Sequence, residues 1–375
     1  MRFHRDRIVV TGIGVVASNG IGKEEFWGNC LSGMSGIKPI TLFDTSAYRC
    51  HLAGEISNFQ PEKYLGSKGL RNLDRTTLLS LVAAKLALDD AQLKITEENT
   101  HEIGIVLGST MGSVHSISSF DIESLCEGPR YVNPAQFPNT VINSPASQIA
   151  IRFRAKAINT TIGTGFSASL DAIEYAADML HAGRVKTVLV GGAEELCIEI
   201  FNGFHEFHLL APENKPQRNG RTVHGLGKTF LGEGAGLLIL ETKEFARSHG
   251  RTIQAELLAL AGDFQSTTKR SGTRSSVIER ALRLAGIKPT DVSSLSYLNG
   301  NSRNSIVVNE LLGKHIHEVS KINARALLGE CISAMGALEV IASIGEIQRE
   351  GGIALVETSS PTGTNVAVVL KIPKA

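Results

Sequence analysis

The sequence predicts an α/β fold built from two related halves. Short apolar runs rich in β-branched residues alternate along the chain with amphipathic helical segments, the pattern of buried strands sandwiched by helices. Two stretches, Arg7-Ile8-Val9-Val10-Thr11-Gly12 and Thr252-Ile253-Gln254-Ala255-Glu256-Leu257, each look like the opening strand of a half, with a division near Ser248-His249-Gly250. The expected units are therefore residues 1–250 and residues 251–375.

Taken in order, a strand is expected at residues 7–11, then a helix at 77–91, where leucine, valine and alanine recur at helical spacing. A second strand follows at 103–107. The next helix, 167–182, comes after the β-branched stretch Ile158-Asn159-Thr160-Thr161-Ile162. It carries Leu170, Ile173, Ala177 and Leu180 on one face, Asp171 and Glu174 in its early turns, and Gly183 as its stop. Strands at 187–190 and 235–240 close the first half. The second half is expected to hold a helix at 273–285, a strand at 295–298, a helix at 334–348 and strands at 353–356 and 366–370.

The junction before the 167–182 helix is the most informative local feature. Gly163-Thr164-Gly165-Phe166-Ser167-Ala168-Ser169 joins a strand to a helix N-terminus through small residues. That is the architecture of a nucleophile elbow, where the helix dipole favours a developing anion. Yet its central residue is Phe166, and a phenyl ring cannot attack anything. Ser167 is expected to cap the helix.

Composition narrows the class. With 375 residues, 42% of them hydrophobic, and a net charge of +1, the chain is long enough for two core-bearing halves. The near-neutral balance gives no case for nucleic acid or a membrane surface as main partner. No apolar run approaches the roughly 18 residues of a spanning helix. Met1-Arg2-Phe3-His4-Arg5-Asp6-Arg7 leads straight into a strand without a signal-peptide pattern, so the cytoplasm is the expected compartment. Cys30, Cys50, Cys126, Cys197 and Cys331 are scattered and lack CxxC spacing, and are expected to be reduced core thiols rather than metal ligands.

Several motifs point nowhere. Gly12-Ile13-Gly14-Val15-Val16-Ala17 imitates a dinucleotide fingerprint, but Asn19-Gly20 and Gly22 break the helix that should follow, and no acid stands at the right distance. Gly22-Lys23-Glu24 lacks the upstream glycine and the Ser/Thr of a phosphate loop. Asn159-Thr160-Thr161 is a glycosylation sequon without a secretory context. His205 and His208 are three apart with no third ligand at metal-binding spacing and are expected on a surface or helix face.

Taken together, the motifs resemble the β-ketoacyl synthase (thiolase-like) family over nearly the whole chain. They are Val9-Val10-Thr11-Gly12-Ile13-Gly14, Val190-Gly191-Gly192-Ala193-Glu194, Leu231-Gly232-Glu233-Gly234-Ala235-Gly236, Gly336-Ala337-Leu338-Glu339 and Gly363-Thr364-Asn365, in that order. The resemblance implies two pseudo-repeated halves forming an α-β-α-β-α layered sandwich. It also implies a cysteine nucleophile at the elbow, two histidines that decarboxylate a malonyl thioester, and a lysine in the same network. Laid on this sequence, those positions are Phe166, Asn301 and Glu330 for the two histidines, and Arg325 for the lysine; the family's gating phenylalanine falls at Pro361. Every catalytic position has changed while the scaffold glycines remain.

Without a thiolate there is no acyl-enzyme, and without imidazoles no pair of N–H donors polarises the thioester. Glu330 would repel a developing oxyanion unless neutralised nearby. Arg325, 14 residues before Glu339, has the spacing at which the family's lysine meets a buried glutamate, so a structural ion pair between Arg325 and Glu339, with the guanidinium fork gripping the carboxylate bidentately, is expected. An inactive ketosynthase that keeps its fold resembles the chain length factors, the ketosynthase β-subunits of type II polyketide and aryl polyene systems. That likeness implies a heterodimer with a cysteine-bearing ketosynthase, a chain-length-setting tunnel at the interface, and no cofactor beyond the phosphopantetheine arm of a partner acyl carrier protein. It places the interface at residues 108–162, with Met111, His115, Phe120, Phe137, Asn139, Val141 and Ile142 as interface or tunnel candidates. Two other readings stay open: an acyltransferase or hydrolase with Ser167 as a relocated nucleophile, and a non-enzymatic homodimer that binds acyl groups or acyl carrier protein.

Overall fold

The computed structural model describes residues 7–211, 229–264, 277–296, 303–360 and 363–374. The first half runs through β1 (Ile8–Ala17), α1 (Lys23–Leu31), α2 (Arg75–Asp90), β2 (Ile103–Gly108), α3 (Val114–Cys126), α4 (Ser144–Phe153), β3 (Asn159–Ile162), α5 (Ala168–His181), β4 (Thr187–Glu194), α6 (Ile198–Glu206) and β5 (Gly234–Thr242). The second runs through β6 (Ala255–Phe264), α7 (Val277–Ala285), β7 (Val292–Ser296), α8 (Arg303–Leu312), β8 (Ser320–Ile322), α9 (Ala324–Leu328), α10 (Met335–Ile347), β9 (Gly352–Ser359) and β10 (Thr364–Ile372).

These strands form one continuous sheet in the order β8-β7-β9-β10-β6-β1-β5-β4-β2-β3. The order is a palindrome about the β6–β1 junction: each strand of the second half occupies the place of the strand five numbers lower. Strand sense repeats as well. β1–β5 and β4–β5 are antiparallel while β2–β4 and β2–β3 are parallel. Correspondingly, β6–β10 and β9–β10 are antiparallel while β7–β9 and β7–β8 are parallel. The halves join through a short antiparallel register, Ile8 opposite Leu257, Val9 opposite Glu256 and Val10 opposite Ala255.

Strand alternation builds the layers. Val188 and Val190 of β4, Leu238 and Leu240 of β5, and Val366, Val368 and Leu370 of β10 share one core with α5 and α10, which lie against each other. Leu189, Leu237 and Ile239 face the other way, into a core with α2 and α4. Leu355, Ala367 and Val369 do the same on the second half, toward α7. Helix, half-sheet, paired central helices, half-sheet, helix: the five layers follow from which face of each strand is apolar.

Most observed elements begin and end close to the expected ones, with β1 and β4 extending past their predicted ends to Ala17 and Glu194. β7 begins three residues before the strand expected at 295–298; residues 297–298 of that strand and 273–276 of the helix expected at 273–285 lie outside the described residues. The opening strand of the second half starts at Ala255, three residues later than expected, because the backbone before it runs without regular structure. The glycines of Gly12-Ile13-Gly14 serve packing, as α2 lies directly on β1. A Cβ on Gly14 would sit 1.9 Å from Ala83 O, and one on Gly12 2.5 Å from Ala87 O. Lys23 pairs with Asp90 instead of facing a phosphate. Among the described residues no helix is long and apolar enough to cross a membrane.

These contacts set a measurable contrast. Gly14→Ala forces α2 off β1 and is expected to cost roughly 1–3 kcal/mol or more, the range for overpacked cores. Gly28→Ala, on the exposed side of α1 with nothing within 4 Å of the new Cβ, is expected to gain roughly 0.5–1 kcal/mol. Urea unfolding of both variants checks the signs.

Candidate functional site

The elbow is built by three constraints. β3 ends at Ile162, Gly165 turns at φ 83°, and a 3-10 turn over Gly165–Ser167 feeds α5. Thr110 Oγ1 donates to Gly165 O at 2.9 Å and ties the turn to the loop after β2. Asp171, in the first turn of α5, accepts from Ser167 Oγ at 2.9 Å and from Thr164 Oγ1. Ser167 therefore holds the N-cap position without capping: its hydroxyl turns to the Asp171 carboxylate and makes no bond to a helix amide. Phe166 is half-buried and packs, as Val114 of α3 does, against an apolar cluster that includes Leu196, Phe201, Leu231 and Ile332.

A second loop meets the elbow from the other half. It runs from Gly329 to the start of α10. Gly329 has φ 80°, where a Cβ would lie 2.5 Å from Leu231 O. Glu330 bridges to Leu231, with its N–H on Phe230 O at 2.7 Å and its carbonyl accepting from Gly232 N at 2.9 Å. Ile332 is a β-branched residue at φ 47°, a conformation that costs energy unless its surroundings enforce it. Here they do, since Ile332 N donates to Glu330 Oε1 at 2.8 Å.

Beneath this loop lies a buried charge cluster. Arg325 is 5% exposed, Glu330 5% and Glu339 2%. One guanidinium nitrogen of Arg325 donates to Glu330, and the other lies 3.5 Å from Glu339 Oε1. Thr358 Oγ1 donates to Glu339 Oε2 at 3.0 Å. The bidentate grip expected on Glu339 is thus replaced by a fork split between two carboxylates. The reason is that Glu330 occupies the nearer position and takes the stronger bond. Burial works against the charged guanidinium, but Glu330, Glu339 and the neighbouring Glu357 outweigh it and hold Arg325 above the ordinary arginine value. Burial pushes the Glu330 and Glu339 carboxyls up, and Arg325 only partly offsets this.

The end of β4 carries a third group. Glu194 accepts from Thr110 N, Met111 N and Gly112 N at 3.2, 2.9 and 3.1 Å, from Ser109 Oγ at 3.3 Å, and from Ser333 Oγ. Glu195 accepts from His115 N at 3.3 Å. Burial, with Asp74 and Glu233 nearby, pushes its carboxyl up to about 8. Glu233 is gripped by the Arg75 fork at 2.5 and 2.6 Å. His115 Nδ1 meets Glu199 at 3.1 Å.

The structure brings Phe166, Arg325, Glu330 and Glu339 to one place where the halves meet. Asn301 and Pro361 lie outside the described residues. Of the surface candidates, Met111, His115, Phe137, Val141 and Ile142 are exposed, and Phe120 is half-buried with its ring 6.0 Å from that of Phe137. Asn139 turns inward, and its side chain donates to Asn72 O at 2.5 Å. Helix α3 has no buried residue at all, and Ile122, Leu125 and Tyr131 add exposed apolar surface beside the candidates. Sequence reasoning missed these three and the Glu194–Glu195 pair. Two consecutive acids closing a strand of glycine and valine were the available signal. Cys126, expected in the core, is exposed at the end of α3, while the other four thiols are buried. His208 is exposed, and His205, on α6, stacks edge-on against Tyr48.

Residues 5–246 match the model for "Beta-ketoacyl synthase, N-terminal domain". The chain is 30% identical over 354 residues to a 3-oxoacyl-[acyl-carrier-protein] synthase 2 of Staphylococcus aureus, covering 90% of this chain and 84% of that protein. It is 28% identical over 371 residues to the synthase of the same name from Coxiella burnetii, covering 95% and 89%. The solved structure of the ishigamide ketosynthase/chain length factor superposes with a TM-score of 0.86 at 26% identity, covering 98% of this chain and all of that one.

Two outcomes are expected from the buried charges. Arg325→Met leaves Glu330 and Glu339 without their cation and is expected to destabilise by about 3–5 kcal/mol, with Glu330→Gln in the same chain recovering part of it; unchanged thermal unfolding would refute the pairing. The Glu195 carboxyl, with a folded-state value of about 8 against 4.5 when unfolded, keeps its proton in the native state over a range where the unfolded chain loses it. Its contribution to stability therefore falls as pH rises from about 4.5 to about 8, and Glu195→Gln should flatten the profile in that window.

Proposed function

The chain belongs to the beta-ketoacyl synthase family, and within it we propose that this is a non-condensing subunit of the chain-length-factor kind. On this reading it pairs with a cysteine-bearing ketosynthase and shapes the tunnel in which the partner's acyl chain grows. One observation carries the reading: at the elbow, where the family's nucleophile is expected, Phe166 packs into an apolar cluster and offers no attacking atom. Glu330 and Arg325 stand where a histidine and a lysine are expected, and they are occupied with each other. A thioester carbonyl developing negative charge there would meet carboxylates in place of N–H donors. Burying the phenyl ring contributes packing on the order of 1.5–3 kcal/mol for full burial, less for a half-buried ring.

Surface features support the partner. Helix α3 presents no buried residue, and exposed Met111, Phe137, Val141 and Ile142 lie on the segment that the family resemblance assigns to the subunit interface. Strand β3 is the last strand on that side of the sheet. A helix with no buried side chain needs a second surface to justify its apolar content. Substrate would reach the complex on the phosphopantetheine arm of an acyl carrier protein, with no cofactor of its own. The relocated-nucleophile reading is weaker, because Ser167 is buried and its hydroxyl is committed to Asp171.

The reading is tested by recovering the tagged chain from its native cells and weighing its stoichiometric partners. One-to-one recovery of a ketosynthase with an elbow cysteine supports it, and a self-dimer alone would sink it. The purified chain is expected to release no carbon dioxide from malonyl-carrier protein, and Phe166→Cys should not restore condensation by itself. Ile142→Asp is expected to weaken partner binding at least tenfold while leaving the melting temperature within a few degrees.

A further inference from the structure

We propose that Glu194 is a positioning residue that couples the elbow and the Glu330 loop to helix α3. The carboxylate stands where three parts of the molecule meet. On one side it accepts the consecutive N–H groups of Thr110, Met111 and Gly112, the loop that leads into α3. On the other it accepts Ser333 Oγ, three residues beyond Glu330 and next to the start of α10. Thr110, whose amide is on Glu194, also fastens Gly165 of the elbow through its hydroxyl. Glu195 and Glu199 continue the same run toward α3, on His115 N and His115 Nδ1.

The anchoring matters because α3 buries no side chain of its own. It rests on α6 near Val114 and His115 and on the 134–140 turn through the Phe120–Phe137 contact. Polar bonds to one buried carboxylate fix the N-terminal approach, and charge-assisted amide bonds of this kind are the stronger sort. A change at Ser333 or in the turn at Gly165 therefore alters the acceptor that holds residues 110–112. What occupies the vacated site and how α3 is presented become one question. The significance of α3 as a partner surface rests on the heterodimer reading above; the coupling itself does not.

Hydrogen–deuterium exchange on the full chain tests the coupling without a partner. Ser333→Ala removes one bond to Glu194, and neither acceptor of the Ser333 hydroxyl lies in α3. Exchange over residues 110–117 is expected to quicken about fivefold or more, the effect of one lost buried hydrogen bond. Ser333→Thr, which keeps the hydroxyl, should stay near wild type, and Glu194→Gln should exceed Ser333→Ala. If Glu194→Gln does not fold, the two Ser333 variants decide. Unchanged exchange in 110–117, or equal acceleration across the whole chain, overturns the proposal. Faster local exchange with unchanged affinity for a cysteine-bearing ketosynthase supports the coupling and overturns α3 as the partner surface, so the two failures are told apart.

Discussion

Two helix N-termini meet at the end of β4, and the site depends on the space that Gly192 leaves for them. A Cβ at that position would lie 2.7 Å from Ser169 Cβ, in the first turn of α5, and 2.7 Å from Ser333 O, just before α10. Ser169 Oγ then accepts Ala337 N at 3.0 Å, which locks the first turns of both helices together. The positive ends of two dipoles thus converge on one region. In an enzyme such a region serves an oxyanion. In this chain carboxylates surround it: Asp171 in the first turn of α5, Glu330 on the amide that opens the turn into α10, and Glu194 below. The fold's invitation to negative charge is answered from within.

That arrangement explains why Arg325 is divided between two acids. Glu330 and Glu339 are both buried, and Glu357 is close enough to bear on the guanidinium. One cation among three carboxylates leaves the cluster short of positive charge, which is why burial keeps the Glu330 and Glu339 carboxyls raised in spite of Arg325. An arginine suits this better than a lysine would. Its planar fork reaches two acceptors at once, which the single ammonium of a lysine does less well.

Much of this was legible in the sequence, and the reasons are specific. The elbow could be read because small residues between a β-branched strand and an amphipathic helix leave few alternatives, and Phe166 was conspicuous against them. Buried sheets between helices could be read from apolar β-branched runs alternating with amphipathic segments, whereas the five layers were implied only by the family resemblance. The halves were suggested by only two strand openings, whereas the palindromic strand order that relates them is a property of pairing and has no local trace. Arg325 and Glu339 could be related only through the family resemblance, and the share taken by Glu330 depends on a backbone turn at Ile332 that no propensity scale favours. Glu194 was seen as part of a glycine motif and its five donors were not foreseen. Three of them are backbone amides from a loop more than 80 residues earlier, which side-chain patterns do not reveal.

Catalysis and architecture place separable demands on this fold. The family's chemistry needs a handful of groups at the elbow and in the loops that face it, whereas its architecture needs glycines where backbones touch. Gly12, Gly14, Gly192, Gly232 and Gly329 all stand where a Cβ would come within 2.7 Å of a neighbouring atom, so each is held by packing whatever happens at the elbow. The positions that the resemblance assigns to chemistry follow a different rule. A nucleophile pocket emptied of its thiol needs apolar filling, and a donor site emptied of imidazole needs its buried charges balanced. Phe166 packs into an apolar cluster and Arg325 and Glu330 pair with each other, so both places are filled from within the chain.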